Sequence, residues 1–133
     1  MIGTWLDKLR DRRLRNPGRR GEDLAHRFLK RHGYTIVARN YRLASGEAEA
    51  DLIAWDGETL AIVEVKSRET GEYGPPERAI GEQKRRHLLR VARAYARRID
   101  LDWERVRFDV VTVILSRPPE IQLYRDALRT SAR

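Results

Sequence analysis

The sequence predicts a single α/β domain in which helices flank a central mixed β-sheet. Two segments, residues 19–32 and 75–99, carry apolar residues at helical spacing. Between and after them lie short apolar segments rich in β-branched residues, which is typical of strands. Together with a short basic helix expected near the N-terminus, these segments give the order α-α-β-β-β-α-β-(β). This order is that of an α/β sandwich around one sheet. At 133 residues the chain fits one domain that is large enough to bury a core.

The predicted domain spans residues 18–124. Before it, Thr4 and Asp7 resemble a capping box that opens a short basic helix, so residues 1–17 are expected to form an N-terminal extension. The first helix of the domain is expected to stop at Gly33, because a glycine readily adopts the left-handed conformation that ends a helix.

A strand over residues 34–43 and a β-hairpin are expected next. Asp56 and Gly57 lie between two apolar runs, and Asp-Gly favours a two-residue type I′ turn, whose central residues both need positive φ. With these two residues as the loop, Trp55 pairs with Glu58.

This hairpin is predicted to gather charged side chains on one face of the sheet. In the register above, Asp51 lies opposite Ile62 and Glu49 lies opposite Glu64, and side chains alternate with a period of two. The face then carries Glu49, Asp51, Glu64 and Lys66. Asp51 and Glu64 become diagonal neighbours, with Cβ atoms roughly 7 Å apart or less. Two carboxylates so close repel each other unless a cation lies between them, and their oxygen ligands suit magnesium.

The alternative is that these charges are simply the solvated side of a strand. The sequence around Glu64 argues against that alternative. From Leu60 to Val65 the strand is apolar except for Glu64, as if it were covered on both faces. A carboxylate inside such a run costs several kcal/mol unless it is paired or metal-bound.

The C-terminal half is predicted to contain one long helix and two strands. The loop over residues 71–76 exposes Tyr73, and the Pro-Pro pair at 75–76 starts the helix, which reaches about Ile99. The remaining elements are a strand over residues 106–115, an edge strand over 121–124 and a C-terminal tail over 125–133. Within the first of these strands, Asp109 is expected to be a structural hydrogen-bonding partner rather than a metal ligand.

Charge is distributed unevenly along the chain. The net charge is +8, from 28 basic and 20 acidic residues, which favours a polyanionic partner. Residues 84–98 contain seven basic residues and no acid, whereas residues 47–77 contain nine acids against Lys66 and Arg68. A basic surface around an acidic centre suits an enzyme that binds phosphates and a divalent cation. The alternative is that the basic helix is only a solvated face.

Composition also bounds the compartment. The chain has no cysteine, which suits a reducing cytosol and excludes disulfides and thiolate metal sites. No apolar run approaches the roughly 20 residues of a membrane span. We therefore expect a cytoplasmic protein that does not enter a membrane.

An ordered set of motifs runs along residues 18–115. It consists of Gly21-Glu22 with Ala25, Gly33-Tyr34, Asn40-Tyr41-Arg42, Glu49-Ala50-Asp51-Leu52-Ile53-Ala54, Val63-Glu64-Val65-Lys66-Ser67-Arg68, Lys84, and Arg107-Phe108-Asp109-Val110-Val111. Together these motifs resemble the uncharacterised bacterial YraN family. Asp51 followed by Glu64-Val65-Lys66 across a hairpin looks like the PD-(D/E)XK nuclease superfamily. The resemblance implies a restriction-endonuclease-like domain, similar in fold to archaeal Holliday junction resolvases.

The resemblance also implies roles for the charged residues of the hairpin. Asp51 and Glu64, with the Val65 carbonyl, would hold Mg²⁺ or Mn²⁺, which would polarise a scissile phosphate and activate a water. Lys66 would position that water or neutralise developing negative charge. The remaining catalytic or metal candidates, which would support this centre or hold a second metal, are Glu22 and Glu49.

The expected nucleic-acid contacts are basic side chains and one aromatic ring. Lys84 lies four residues from both Ile80 and Leu88 and should point toward the sheet, either to the site or as a lysine with a buried stem. The arginines after it should contact phosphates without reading sequence. The full set is Lys84, Arg85, Arg86, Arg90, Arg93, Arg68 and Tyr73.

The function expected from the sequence is a magnesium-dependent endonuclease that hydrolyses phosphodiester bonds in branched or structured DNA. One alternative is a non-catalytic DNA- or RNA-binding protein that keeps the nuclease fold. Another is an assembly factor that uses its basic surface for RNA or a partner protein. The sequence leaves open whether the chain forms a homodimer and whether one metal or two would bind.

Overall fold

The structure, a computed structural model, describes residues 17–69 and 80–128 and is built around a five-stranded mixed sheet. In order across the sheet, the strands are β1 (Thr35–Arg42), β2 (Glu49–Asp56), β3 (Thr59–Arg68), β4 (Val106–Ile114) and β5 (Glu120–Tyr124). Strands β3 and β4 are parallel, and the other neighbours are antiparallel. Two helices, α1 (Pro17–Arg31) and α2 (Glu82–Arg98), flank the sheet. The expected α/β domain is confirmed, and its arrangement is consistent with a restriction-endonuclease-like fold.

Each helix covers its own face of the sheet, and each face has its own apolar core. Helix α1 inserts Ala25 and Leu29 into one core, and α2 inserts Leu88 and Val91 into the other. Strand β3 contributes alternate side chains to both cores, which is why its apolar run is continuous. Because β3 and β4 are parallel, the chain must cross over between them, and α2 lies in that crossover.

The beginning of α1 lies unusually close to β3. A Cβ atom added at Gly21 would be 1.7 Å from the Ser67 hydroxyl oxygen, so a side chain at this position would force the helix away from the strand. Helix α1 ends before Gly33, which has φ +88° as expected for a glycine after a helix. The basic helix predicted within residues 1–17 lies outside the described residues, apart from Pro17, where α1 begins.

The predicted start of the long helix differs from the structure. Gly81 has extended backbone angles, φ −73° and ψ 167°, and caps a helix that begins at Glu82. Ile80 is buried but precedes the helix, so the helical spacing predicted between Ile80 and Lys84 does not occur. The Pro-Pro pair at 75–76 lies outside the described residues.

The predicted register of the hairpin is wrong by two residues. Asp56 pairs with Thr59 and Leu52 pairs with Val63, so the two central residues of the turn are Gly57 and Glu58. Only Gly57 has positive φ, +62°, a pattern typical of a type II′ turn with glycine first. Each residue of β2 therefore faces a residue two positions further along β3 than predicted. A shift of two leaves the paired residues on their predicted faces, so Ile53 and Ile62 share one core and Leu52 and Val63 share the other. Ala50 departs from the alternation, because it packs in the same core as Ile53.

The C-terminal residues described by the structure pack on the domain. Leu128 is buried, and the Ala127 N–H donates a hydrogen bond to the Phe108 carbonyl. The segment predicted as a tail thus contributes residues 125–128 to the folded unit, and the rest of it lies outside the described residues.

A polar network fastens the hairpin end of the sheet to this C-terminal segment. Asp109 is completely buried and accepts hydrogen bonds from the Arg107 guanidinium, the Tyr34 hydroxyl and the Asp126 N–H. Arg107 also pairs with Asp56 at 2.8 Å. Burial and the neighbouring Asp109 raise the pKa of Tyr34 to about 12. Asp109 therefore has the structural role expected of it.

Candidate functional site

The acidic centre is built where β2 separates from β3. The described pairs between these strands run from Asp56 and Thr59 to Leu52 and Val63. Beyond the last pair, the N–H of Val65, two residues after Val63, donates a 2.7 Å hydrogen bond to the carboxylate of Asp51, which directly precedes Leu52. The side chain of Asp51 thus takes the place of a strand acceptor and is held at the fork between the two strands.

Glu64 reaches the same point from within β3. Only 3% of Glu64 is exposed, and Lys84 of α2 places its Nζ 3.5 Å from Glu64 Oε2. The same Nζ donates a 3.0 Å hydrogen bond to the Glu49 carbonyl, so Lys84 links the helix to both strands. The sequence placed Lys84 among the nucleic-acid contacts and toward the sheet, and the structure places its ammonium group in the acidic centre.

Glu64 lies close enough to Asp51 for the two carboxyl groups to interact. Burial, a hydrogen bond to Asp51 and repulsion by the Asp51 charge raise the pKa of Glu64 far above that of an ordinary glutamate, while Lys84 and Lys66 oppose the rise. Glu64 Oε1 is buried and has no hydrogen-bond partner among the described residues when both groups are ionised, since two carboxylates can only accept. A proton on Glu64 turns it into a donor to Asp51, and a cation would relieve the same repulsion.

Glu22 approaches from the other face of the sheet, on the first turns of α1. Burial and the negative charges of Asp51 and Glu49 raise the pKa of Glu22, while Arg39 and Arg19 oppose the rise. Its Oε1 is buried and lacks a partner within residues 17–69 and 80–128. The close contact of the preceding Gly21 with β3 explains how a residue of α1 comes this near to the fork.

The other two hairpin candidates differ in their surroundings. The Glu49 carboxylate is 2.9 Å from Arg42, whose positive charge it already neutralises. Lys66 is half-buried near Glu64, and its ammonium group forms neither a hydrogen bond nor an ion pair with any residue in the described part of the chain. No group of three acidic or histidine side chains in those ranges has the spacing of a metal site. The donors available to one cation are therefore the two carboxylates of Asp51 and Glu64, together with backbone or solvent oxygens.

An arginine stripe lies on the outer side of α2. Its members recur at helical spacing and are all exposed: Arg86, Arg90, Arg93 and Arg97. Arg90 is 3.3 Å from Glu47, and the Arg93 guanidinium lies over the Trp103 ring. Arg97 belongs to the basic segment but not to the expected contacts, although its helical spacing from Arg90 and Arg93 places it on the same face of the helix.

Three other predicted contacts do not belong to the stripe. Arg85 is only half-exposed and lines a small cavity with Phe108 and Leu128. Arg68 is exposed at the end of β3 and donates a hydrogen bond to the Ser67 carbonyl. Tyr73 lies outside the described residues.

Sequence reasoning missed two arginines near the acidic centre. Arg19 and Arg39 act electrostatically on Glu22, and both line a polar cavity of about 370 Å³ with Asp23 and Asn40. Arg39 is 2.8 Å from Asp23. No spacing in the sequence marks this pair, because α1 and β1 come together only in the folded domain.

The raised pKa of Glu64 predicts that Glu64→Gln stabilises the protein at alkaline pH when no divalent cation is present. Between the unfolded and folded pKa values of Glu64 the folded state binds more protons, so wild-type stability falls as pH rises. Glutamine removes that loss because it carries no titrating proton. Urea unfolding in chelator should show a gain of roughly 1–3 kcal/mol at pH 8 and a smaller one at pH 5. An equal gain at both pH values would contradict the shift.

Neither helix in the described part of the chain is both long and apolar enough to cross a membrane.

Comparison with known proteins shows that the residues of the acidic centre lie within the part of the chain that matches one protein family. The model of the family described as "Uncharacterised protein family UPF0102" matches residues 21–113. A UPF0102 protein of Solibacter usitatus is 54% identical over 131 residues, covering 96% of this chain and 99% of the relative. A UPF0102 protein of Koribacter versatilis is 48% identical over 115 residues, covering 86% and 80%. A UPF0102 protein of Nocardia farcinica is 44% identical over 99 residues, covering 74% and 76%. This chain belongs to uncharacterised protein family UPF0102, the YraN family that its motifs resemble.

Proposed function

We propose that this protein is a metal-dependent endonuclease that hydrolyses phosphodiester bonds in branched or otherwise structured DNA. One observation carries the proposal: the carboxyl groups of Asp51 and Glu64 meet at the fork of β2 and β3, with Lys66 nearby on β3. The arginine stripe on α2 supplies positive charge for a polyanion.

The acidic centre fits a divalent cation in its chemistry. Glu64 has a buried oxygen without a partner in the described ranges, and its raised pKa reflects a negative charge that burial and Asp51 oppose. A cation bound there would relieve the repulsion between the two carboxylates, as a proton does. Oxygen donors suit Mg²⁺ or Mn²⁺. Asp51 and Glu64 would hold it, with the Val65 carbonyl as the expected third donor. Such an ion acts as a Lewis acid on phosphate oxygens and makes bound water more acidic.

The protein's own residues would hold and balance this centre. The Val65 N–H fixes the Asp51 carboxylate, and Lys84 positions Glu64 from α2. Lys66 forms no ion pair in the described part of the chain, so its ammonium group is available to stabilise charge that develops on a phosphate. Glu22 would bind or orient a water on the α1 side.

One observation favours a second candidate, a non-catalytic DNA- or RNA-binding protein that retains the nuclease fold. The Lys84 ammonium group already lies 3.5 Å from Glu64 and neutralises part of the charge that a metal would neutralise. A protein that used Lys84 as a permanent internal cation would keep its fold and its basic surface without needing a metal.

A cleavage assay separates the two candidates. Purified protein is incubated with junction, flap and linear DNA in magnesium, in manganese and in EDTA. The proposal expects cleavage of branched DNA with either metal and none in EDTA. If no branched or single-stranded DNA is cut with either metal, catalysis is abandoned and the binding protein remains.

The arginine stripe predicts strongly salt-dependent binding of DNA. Replacing Arg86, Arg90 and Arg93 by alanine should lower the affinity for DNA. Each phosphate contact that is lost also removes the release of the counterions that this contact would displace. Each lost contact should lower the slope of log affinity against log salt by about 0.9 on duplex DNA. Titrations by fluorescence anisotropy at several salt concentrations measure the slope. An unchanged slope would show that this face is only solvated.

A further inference from the structure

The far end of α2 carries a cavity that is separate from the acidic centre. The cavity has a volume of about 320 Å³, which is within the range of pockets that bind small ligands. Ala96 and Leu101 supply apolar walls, Trp103 supplies an aromatic one, and Arg93 and Arg97 bring positive charge. Both arginines belong to the exposed stripe of α2.

One contact within this group points to the chemistry of a ligand. The Arg93 guanidinium carbon lies 5.3 Å from the centroid of the Trp103 ring, so one ring face carries a cation. A ligand that complements the cavity is therefore anionic, with a flat and partly apolar portion.

We propose that this cavity binds one unpaired nucleotide of a DNA strand, with its phosphate on Arg93 and Arg97. Its base would stack on the guanidinium plane that covers Trp103, as bases do on arginine and aromatic side chains. A nucleotide meets both requirements, since it joins a flat base to an anion. The inference rests on the proposed function, because it assigns to that enzyme the site that distinguishes unpaired from paired DNA.

The position of the cavity on α2 defines where the unpaired nucleotide would lie. Lys84 of the acidic centre and Arg97 of the cavity are on the same helix. Thirteen residues at about 1.5 Å each separate them by about 20 Å along the axis. One strand of a duplex advances 3.4 Å per nucleotide, so the bound nucleotide would lie about six nucleotides from the acidic centre.

Binding measurements in EDTA test the cavity without depending on cleavage. Labelled oligothymidylate and a labelled blunt duplex are titrated with wild type and with two paired variants, each of which removes two arginines of the same stripe. The double variant Arg93→Ala, Arg97→Ala should weaken binding of oligothymidylate about five-fold more than binding of duplex, because base stacking is lost as well as charge. The matched control, Arg86→Ala with Arg90→Ala, should weaken both DNAs to the same extent.

Two further variants test the ring and the space. Trp103→Leu removes the ring that lies against Arg93, and it should weaken binding of oligothymidylate about three-fold. Leu101→Trp fills the cavity while retaining every charge. It should weaken binding of oligothymidylate but leave binding of duplex unchanged. Thermal melts establish that each variant is folded.

Each remaining outcome overturns a different claim. Equal effects of the two arginine pairs on both DNAs would overturn the nucleotide site and leave the proposed function standing. If Leu101→Trp leaves oligothymidylate binding unchanged but dissociates a dimer in sedimentation, the cavity is an interface between copies and the inference is wrong. Failure of wild type to bind either DNA would overturn the proposed function, and this inference with it.

Discussion

Replacing Asp51 or Glu64 by alanine should abolish cleavage of branched DNA in magnesium, with a loss of about 1,000-fold or more in rate. The two carboxyl groups meet at one point, and neither alone would hold the cation and the water that it makes more acidic. Single-turnover cleavage at saturating protein measures the rate. Glu58→Ala, which removes an exposed acid from the turn of the same hairpin, is the matched control and should cut normally.

The same variants should behave differently when no metal is present. In EDTA, Asp51→Ala and Glu64→Ala remove negative charges that repel phosphate, so their affinity for DNA should be unchanged or slightly higher. Lys66→Ala should retain metal binding and lose most of the rate, because the role proposed for Lys66 lies in the transition state. Calorimetric titration with magnesium provides an independent check. Equal magnesium binding by wild type and by the Asp51→Ala, Glu64→Ala double variant would rule out the metal site.

Among substitutions in the polar network around Asp109, Asp109→Ala should have the largest effect on the stability of the protein. The carboxylate is completely buried and accepts hydrogen bonds from Arg107, Tyr34 and Asp126. Removing it leaves a partly buried guanidinium and a buried hydroxyl that have lost their shared acceptor. We expect a loss of about 3–5 kcal/mol, as for other broken buried ion pairs. For a chain of this length, the melting temperature should fall by about 10 °C or more.

A second aspartate provides the comparison. Asp102 is exposed, and its side chain makes no capping hydrogen bond to the 3₁₀ turn (Trp103–Arg105) that it precedes. Asp102→Ala should therefore change stability by no more than about 0.5 kcal/mol. A change below about 1 kcal/mol for Asp109→Ala would mean that the network contributes little, and that Leu128 and its apolar neighbours hold the C-terminal segment instead.

Local patterns predicted the elements of the fold because each element has its own periodicity. The strand predicted over residues 106–115 is observed as Val106–Ile114, and the helix predicted over residues 19–32 is observed as Pro17–Arg31. The proximity of Asp51 and Glu64 was also predictable, because the two residues are neighbours across the hairpin in the predicted register and in the observed one. The paired residues kept their predicted faces because the error in register was an even number of residues.

The errors occurred where two local signals compete. Asp-Gly is typical of a type I′ turn, but a glycine can also be the first central residue of a type II′ turn. The structure has the second arrangement, in which Asp56 remains in β2 and its carboxylate pairs with Arg107 and Arg125. The contacts of Asp56 come from β4 and the C-terminal segment, which lie far away in the sequence. Nothing in the hairpin itself indicates that they exist.

The sequence by itself determined the α/β class, the apolar strand that contains Glu64 and the segregation of basic and acidic segments. These properties follow from spacing and composition along the chain, which local physical chemistry governs. Only the tertiary structure decided that Lys84 enters the acidic centre and that Glu22 approaches Asp51 from the opposite face of the sheet. Both results depend on how two helices dock on a sheet. Docking is set by packing between residues distant in sequence, such as the close contact of Gly21 with Ser67.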